Sequence, residues 1–485
     1  MKIYNTLTKQ KEEFTPIEEK KVRMFVCGPT VYDYVHIGNA RTFVFFDVVG
    51  RYLEYKNYEL NYVQNITDID DKIIARARDE SKKPDEVAAE FKAAFIKDTG
   101  DLKIVSVNNY ASASDHIAQI IEQVKTLIAK GYAYAAPAVK AAGAAAVETA
   151  ENKDVYFEID RYEKDFPSEY GKLSGQKADE LQEGSRVEME TNKINPRDFV
   201  IWKAQNYNYE PAWESPWGMG RPGWHIEDTA ISEKYLGIQY DIHGGAQDLM
   251  FPHHEAEIAQ QQAASGKVPF VRYWMHAGFL VNKADKMSKS LGNFTSLRDL
   301  LAAQTRHGAE TLRLYFLSAH YRSPLAYEDA LIRQSAAAID RIADFLARLN
   351  KVDGEQNPEA DEKLRLKSEK FLSSLDDDFN APGAIASVFE LIRELNPLVG
   401  RNQISPAQAE AIDSFFRATV ERTLGIVPEP QKQNIPDEIL ELAETREKHR
   451  EAKEFQKADM IRDQIKAAGY IIDDTAYGPL ISAEE

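Results

Sequence analysis

Apolar positions along this chain switch between two periods. Val22 to Val26 is a nearly continuous apolar run, the mark of a buried strand. Thr42 to Tyr55 carries Phe, Val and Leu at helical spacing, and Leu60 to Ile66 reads as a second strand. Two more strands are predicted downstream, Gln239 to His243 and Val271 to Val281. A helix is predicted after Gly223–Asp228 and another from Pro252, proline being favoured in a first turn. Strands alternating with helices predict an α/β fold on a parallel sheet.

Between the two halves of this sheet, over about 105–222, the periodicity changes, as an insertion would make it do. Asp115 to Lys130 is an amphipathic helix ended by Gly131. Ala133 to Ala150 is alanine-rich with too little apolar bulk for a core, so a flexible surface insertion is expected. Strand-like pieces follow at Val155–Ile159, Val187–Glu190 and Phe199–Lys203, then a Pro-, Gly- and Trp-rich connector, Pro211–Pro222. From about 305 onward Glu310–Ala319, Glu328–Asn350, Glu359–Leu375, Ala381–Leu395 and Pro406–Leu424 all show helical spacing. Val427–Asn434 is a predicted linker. Beyond it lie two charged helices within Pro436–Ala468 and a short strand, Tyr470–Asp473. The division expected is 1–104 and 223–304 for the halves of the sheet domain, 105–222 for the insertion, 305–426 for a helical bundle and 435–485 for a small, mostly helical terminal domain.

Composition narrows the class. At 485 residues the chain exceeds one small core. No stretch reaches the length of a membrane span, and polar Met1–Phe14 has no apolar signal segment, so a cytoplasmic location without membrane contact is expected. The single cysteine forbids an intramolecular disulfide, in keeping with a reducing compartment. A net charge of −18 argues against non-specific nucleic-acid binding, but leaves room for one specific RNA held on local basic patches.

The chemistry gathers on loops after strands. Residues 27–41 join the first strand to its helix, where parallel sheets place ligands. Gly28 and Gly38 allow close backbone approach. His36 and Asn39 sit at the helix mouth, where free N–H groups and the dipole favour a phosphate. Cys27 is a metal ligand, a nucleophile or a small buried hydrophobe. In the polar loop Asn65–Asp71, Thr67 and Asp68 either line a site or cap and solvate the next helix. His253 and Glu257, four apart on a helix, point the same way. Alone, such a pair is as readily a solvated charged helix face, but this helix starts at a predicted strand end on the same side of the sheet as Cys27 and Asp228, and the four form a donor set that zinc accepts, His254 and His243 being competing candidates. Lys286 and Lys289 flank serines in a polar loop, suited to neutralising a triphosphate's leaving group, the alternative being an ordinary solvated loop.

His36–Asn39 and Lys286–Ser290 resemble the two signatures of class I aminoacyl-tRNA synthetases. Cys27–Asp33, Asn65–Asp71, Gly223–Glu227 and Phe251–Glu257 together resemble the cysteinyl-tRNA synthetase family, and the likeness covers nearly the whole chain. It implies a Rossmann-type catalytic domain split by an insertion, a stem-contact helical bundle and an anticodon-binding end. The activity implied is ATP-dependent ligation of L-cysteine to tRNA(Cys) through a cysteinyl-adenylate, with Mg2+ accompanying ATP and zinc taking the substrate's sulfur. His36, Gly38, Asn39, Lys286 and Lys289 would then serve ATP; Thr67, Trp224 and Gly28 the amino acid; Arg450, Phe455 and Asp459 the anticodon. A monomer is expected. Asn39 is a mild variant of the signature, and Phe455 stands where tryptophan is common, the alternative being that it is helix-packing core. Asp228 stands where the family pattern has cysteine, a harder donor of equal charge. The rival readings are a cysteine ligase of low-molecular-weight thiol biosynthesis, which has no use for Pro436–Glu485, and a non-catalytic paralogue, against which His36, Lys286 and Lys289 argue.

Overall fold

In the computed structural model of the chain, which describes residues 1–138, 152–176, 192–281, 295–304, 306–429, 436–475 and 478–483, the first apolar run becomes the central strand of a five-stranded parallel sheet. Its elements are β1 (Lys21–Val26), α1 (Ile37–Tyr55), β2 (Glu59–Ile66), β3 (Asn109–Ser112), α2 (Trp224–Leu236), β4 (Tyr240–Ala246), α3 (Glu255–Ser265) and β5 (Val271–Ala277). The strand order is β5-β4-β1-β2-β3, every neighbouring pair parallel. The order reverses between β1 and β4, and the crevice outside the carboxyl ends of those two strands is where such sheets bind ligands.

α1 explains why this part of the sequence lacks a polar stripe. Every residue from Ala40 to Leu53 is buried, so the helix is core on all sides. Its charged residues are correspondingly paired. Asp47 accepts from Arg51 Nε at 2.6 Å and lies 2.7 Å from Arg313 Nη2, and it takes the N–H groups of Val105 and Ser106. Arg41 donates to the carbonyls of Gly278, Phe279, His320 and Ser323.

Several elements differ from expectation. β4 continues through Gly244 and Gly245 to Ala246. A side chain at Gly244 would collide with the Phe46 ring of α1, so this glycine permits packing instead of ending the strand. The expected strand Val271–Val281 divides into β5 and a short piece, Leu280–Val281, which pairs with Leu325–Ala326. The break coincides with the two carbonyls claimed by Arg41. In the insertion, Ala133–Pro137 is the edge of an antiparallel sheet with Lys153–Phe157, Phe199–Ala204 and Gly220–Pro222. Residues 139–150 of the alanine-rich stretch and Val187–Glu190 lie outside the described residues.

The chain divides into two compact units, Met1–Leu331 with Asp376–Asn380, and Ile332–Leu375 with Ala381–Glu485. Within the first, Asp376 accepts from Tyr52 Oη at 2.9 Å and Lys56 Nζ. Asp378, with a left-handed φ of 61°, accepts from the Tyr4 N–H, Tyr321 Oη and Arg322 Nε at 2.8, 2.9 and 3.0 Å. The second unit is helical, with Pro358–Asp376, Ala381–Gly400 and Pro406–Ser414 among its helices. Its last part packs Asp437–Glu451 and Phe455–Ala467 with a hairpin, Tyr470–Thr475 and Gly478–Ala483, around Ile439, Ala443, Ile461, Ile465 and Ile472. Among the described residues no helix is long and apolar enough to cross a membrane.

Candidate active site

Cys27 follows β1 directly, and its N–H donates to the Gly244 carbonyl of β4 at 3.0 Å. That places its sulfur at the point where the strand order reverses. Sγ lies 3.3 Å from Asp228 Oδ2, 3.2 Å from His254 Nε2, 3.5 Å from His243 Nε2 and 4.0 Å from Glu257 Oε1. Asp228 comes from α2, His243 from β4, Glu257 from α3, and His253 and His254 from the helical turn Met250–His254 that leads into α3. His253 Nε2 is 3.0 Å from Asp228 Oδ2 and 3.1 Å from Glu257 Oε1, as the four-residue spacing requires. All of these groups are buried. The expected donors thus meet, and so do both competing histidines. The ligand atoms fall into two sets, each within 4.8 Å of one another: Cys27, Asp228, His253 and Glu257, and Cys27, His243, His254 and Glu257. Zinc bonds of about 2.0–2.3 Å put tetrahedral donors roughly 3.3–3.7 Å apart, so both sets have the right scale.

Most donors are oriented from behind, as metal ligands need to be. Asn65 Nδ2 donates to Asp228 Oδ1 at 2.5 Å. His225 Nδ1 lies 2.8 Å from His253 Nδ1, Tyr240 Oη 2.6 Å from His243 Nδ1, and His276 Nε2 2.8 Å from His254 Nδ1. His276 Nδ1 in turn lies 2.9 Å from Thr6 Oγ1. Burial pushes the Cys27 thiol well up, with Glu257 and Asp228 adding to it. Burial raises Glu257 as well, Asp228 contributing. It holds His225, His243 and His254 well below the usual imidazole range and brings His276 to about 3. By themselves Cys27, Glu257, His243 and His254 therefore favour their uncharged forms, a balance that a divalent cation reverses for the thiol and the carboxyl. Glu257 Oε2 is buried without a hydrogen-bond partner, so the cage also has an oxygen to spare. These residues suit a metal ion.

His225, His276, Tyr240 and Asn65 were not predicted as site residues. Their sequence signal is a lone polar group inside or beside a buried run, as with His276 in β5 and Asn65 in β2.

At the mouth, His36 caps α1, its Nδ1 accepting from the Asn39 N–H at 3.1 Å. That bond assigns the imidazole proton to Nε2. A Cβ at Gly38 would press on the His36 ring, so glycine lets the imidazole fold back over the helix start. The expectation of free N–H groups there is modified: Asn39 N–H serves His36, and Ile37 N–H reaches the Thr295 carbonyl at 3.3 Å. Leu297 N–H donates to the Val35 carbonyl at 2.8 Å, so Thr295 and Leu297 lie against the start of α1. Lys286 and Lys289 lie outside the described residues. Trp224, 40% exposed, stacks on His253 with ring centroids 4.2 Å apart. Gly28 N–H donates to Asn65 Oδ1 at 2.6 Å, and buried Thr67 donates its N–H to the Pro29 carbonyl at 3.1 Å. In the second unit, Phe455 and Asp459 occupy exposed positions one turn apart on one helix, and Arg450 pairs with Glu447 at 2.7 Å. At 61% exposure, Phe455 is not helix-packing core.

Comparison with known proteins matches residues 13–337 to a family described as "tRNA synthetases class I (C) catalytic domain" and residues 370–427 to the DALR domain. The chain is 43% identical to cysteine–tRNA ligase of Clostridioides difficile over 99% of both proteins. It is 44% identical to cysteine–tRNA ligase of Carboxydothermus hydrogenoformans, again over 99% of both. Its fold is shared with Mycobacterium tuberculosis methionyl-tRNA synthetase in complex with methionyl-adenylate, at a TM-score of 0.60, 16% identity and coverage of 83% of this chain and 88% of that one.

Proposed function

The chain belongs to the cysteine–tRNA ligases of class I, and on that premise we propose how its residues divide the work. It is an enzyme that ligates L-cysteine to tRNA(Cys) at the expense of ATP. In the first step the cysteine carboxylate attacks the α-phosphorus of ATP and pyrophosphate leaves. In the second, the terminal ribose hydroxyl of the tRNA attacks the activated carbonyl and AMP leaves. The observation that carries the reading is the buried cage around Cys27 beside the start of α1, which sets a sulfur-seeking metal site next to a phosphate site.

His36 presents its Nε2 proton, and with Asn39, Gly38 and the α1 dipole it steadies charge on the phosphates. Lys286 and Lys289 hold pyrophosphate as its charge develops, with Mg2+ accompanying ATP. Gly28, Thr67 and Trp224 shape the amino-acid pocket. Cys27, Asp228, His253 and Glu257 would hold zinc facing the substrate's sulfur. When bound, the zinc supplies a Lewis acid of intermediate softness for the substrate's sulfur. Arg450, Phe455 and Asp459 read the anticodon, an exposed aromatic beside a carboxylate suiting unstacked bases. In this reading residues 305–426 contact the tRNA stem and 435–485 the anticodon, with 1–104 and 223–304 carrying the catalysis around the insertion 105–222. The protein works as a cytoplasmic monomer. The likeness to ligases over 99% of the chain, tail included, favours this reading over a small-molecule cysteine ligase. ATP–pyrophosphate exchange dependent on cysteine, followed by charging of tRNA(Cys), tests it. Exchange with no charging would move the chain to the small-molecule class, and no exchange at all would make it a non-catalytic paralogue.

A further inference from the structure

The two donor sets share Cys27 and Glu257 but differ in chemistry. The first adds Asp228 and His253, giving one sulfur, one nitrogen and two oxygens. The second adds His243 and His254, giving one sulfur, two nitrogens and one oxygen. Zinc sits comfortably among sulfur and nitrogen, so the second set is the better match. Charge favours it too. Thiolate and carboxylate from Cys27 and Glu257 balance a divalent cation, and two neutral imidazoles complete the shell. The first set brings a third anion and leaves a net negative charge in a fully buried cage, which burial penalises.

The orientation of the groups agrees. Glu257 divides its oxygens between the sets, with Oε1 3.1 Å from His253 Nε2 and Oε2 3.4 Å from His243 Nε2. Oε2 is the buried atom without a hydrogen-bond partner. Asp228, by contrast, is already engaged through both oxygens, Oδ1 by Asn65 and Oδ2 by His253. His243 and His254 each have their far nitrogen held, by Tyr240 Oη at 2.6 Å and by His276 at 2.8 Å. With Nδ1–H donated to those partners, both Nε2 lone pairs point at the Cys27 sulfur.

We propose that Cys27, His243, His254 and Glu257 form a second metal seat, overlapping the first, which zinc occupies in the substrate-free protein before passing to the first seat when the substrate's sulfur arrives. The proposal rests on the zinc reading above, and concerns which imidazoles hold the ion.

X-ray absorption at the zinc edge of the full-length, substrate-free protein tests it without mutation. Two imidazoles and one sulfur per zinc are expected, where the first seat provides one imidazole. Metal analysis of variants gives a second measure. His243→Gln and His254→Gln should each reduce zinc from about one per chain to a small fraction, while His253→Gln and Asp228→Asn keep it. One imidazole per zinc, or zinc lost from Asp228→Asn and retained by His243→Gln, overturns the second seat and leaves the zinc reading intact. Unmodified protein that binds no zinc overturns both.

Discussion

Cys27 Sγ and Asp228 Oδ2 lie 3.3 Å apart with both residues buried. Two acidic groups at that distance are stable only when they share a proton or a cation. Replacing the carboxylate by a thiolate, Asp228→Cys, gives the first donor set two sulfurs. That is a softer shell, and a softer metal tolerates a serine hydroxyl less well. The preference for cysteine over serine in pyrophosphate exchange should therefore rise on the order of tenfold. Equal ratios in the two forms would remove the argument from ligand softness.

Zinc retention should depend on pH in one direction. Burial holds Cys27 and Glu257 above their ordinary values, so protons compete for both ligands earlier than they would in water. Affinity should fall steadily as the pH drops from about 8 to 5, and loading the apo-protein should release protons. Competition against a chromophoric chelator across that range measures it, and a flat profile would contradict it.

Lys289→Ala is expected to lower pyrophosphate exchange by about 10²-fold or more, because its charge is needed only as pyrophosphate departs. The thermal midpoint should hardly move, since Lys289 sits in a polar loop sequence. Undiminished exchange would remove Lys289 from the machinery.

Asp47→Asn tests the core of α1. Burial alone would raise this carboxyl, but Arg313, Arg51 and two backbone N–H groups bring it below the usual range. Its stabilisation is therefore present above the ordinary aspartate value and lost as pH falls through the folded value. The substitution leaves the Asp47 partners Arg51 and Arg313 beside a neutral amide, and should cost about 3–5 kcal/mol in urea unfolding. A loss under about 1 kcal/mol would show that the arginines find other acceptors.

Truncation after residue 430 removes the terminal helices and hairpin. Pyrophosphate exchange should survive and tRNA charging should fall. Equal loss of both activities would instead make this part structural support for the catalytic unit.

Much of this was legible in the sequence because burial dictates residue type. β1 and β2 follow their apolar runs, and the start of α3 follows Pro252 within a turn. Boundaries failed where a tertiary contact overrode local signal. α1 begins at Ile37, earlier than its apolar spacing, because an imidazole does the capping that Ser or Asp usually does. β4 runs on through two glycines because Phe46 needs the space at Gly244. Cys27, Asp228, His253 and Glu257 could be gathered by reasoning about strand ends. The choice between His253 and the pair His243 and His254 could not, because it depends on which nitrogen faces the sulfur. The tail's second strand, Gly478–Ala483, was missed because its partner, not its own pattern, makes it a strand.

Asp376–Asn380 has a consequence for how such a protein can be rearranged. This short segment belongs to the first unit although the residues on either side of it belong to the second, so the polypeptide passes between the units three times. A gene fragment ending at Leu331 would leave the Tyr4 N–H, Tyr321 Oη and Arg322 without Asp378, and Tyr52 without Asp376. The helical unit is therefore not a cassette that recombination can exchange at a single crossover. Any lineage that replaced it would have to bring a matching loop for the catalytic unit as well, which binds the two parts to a common inheritance.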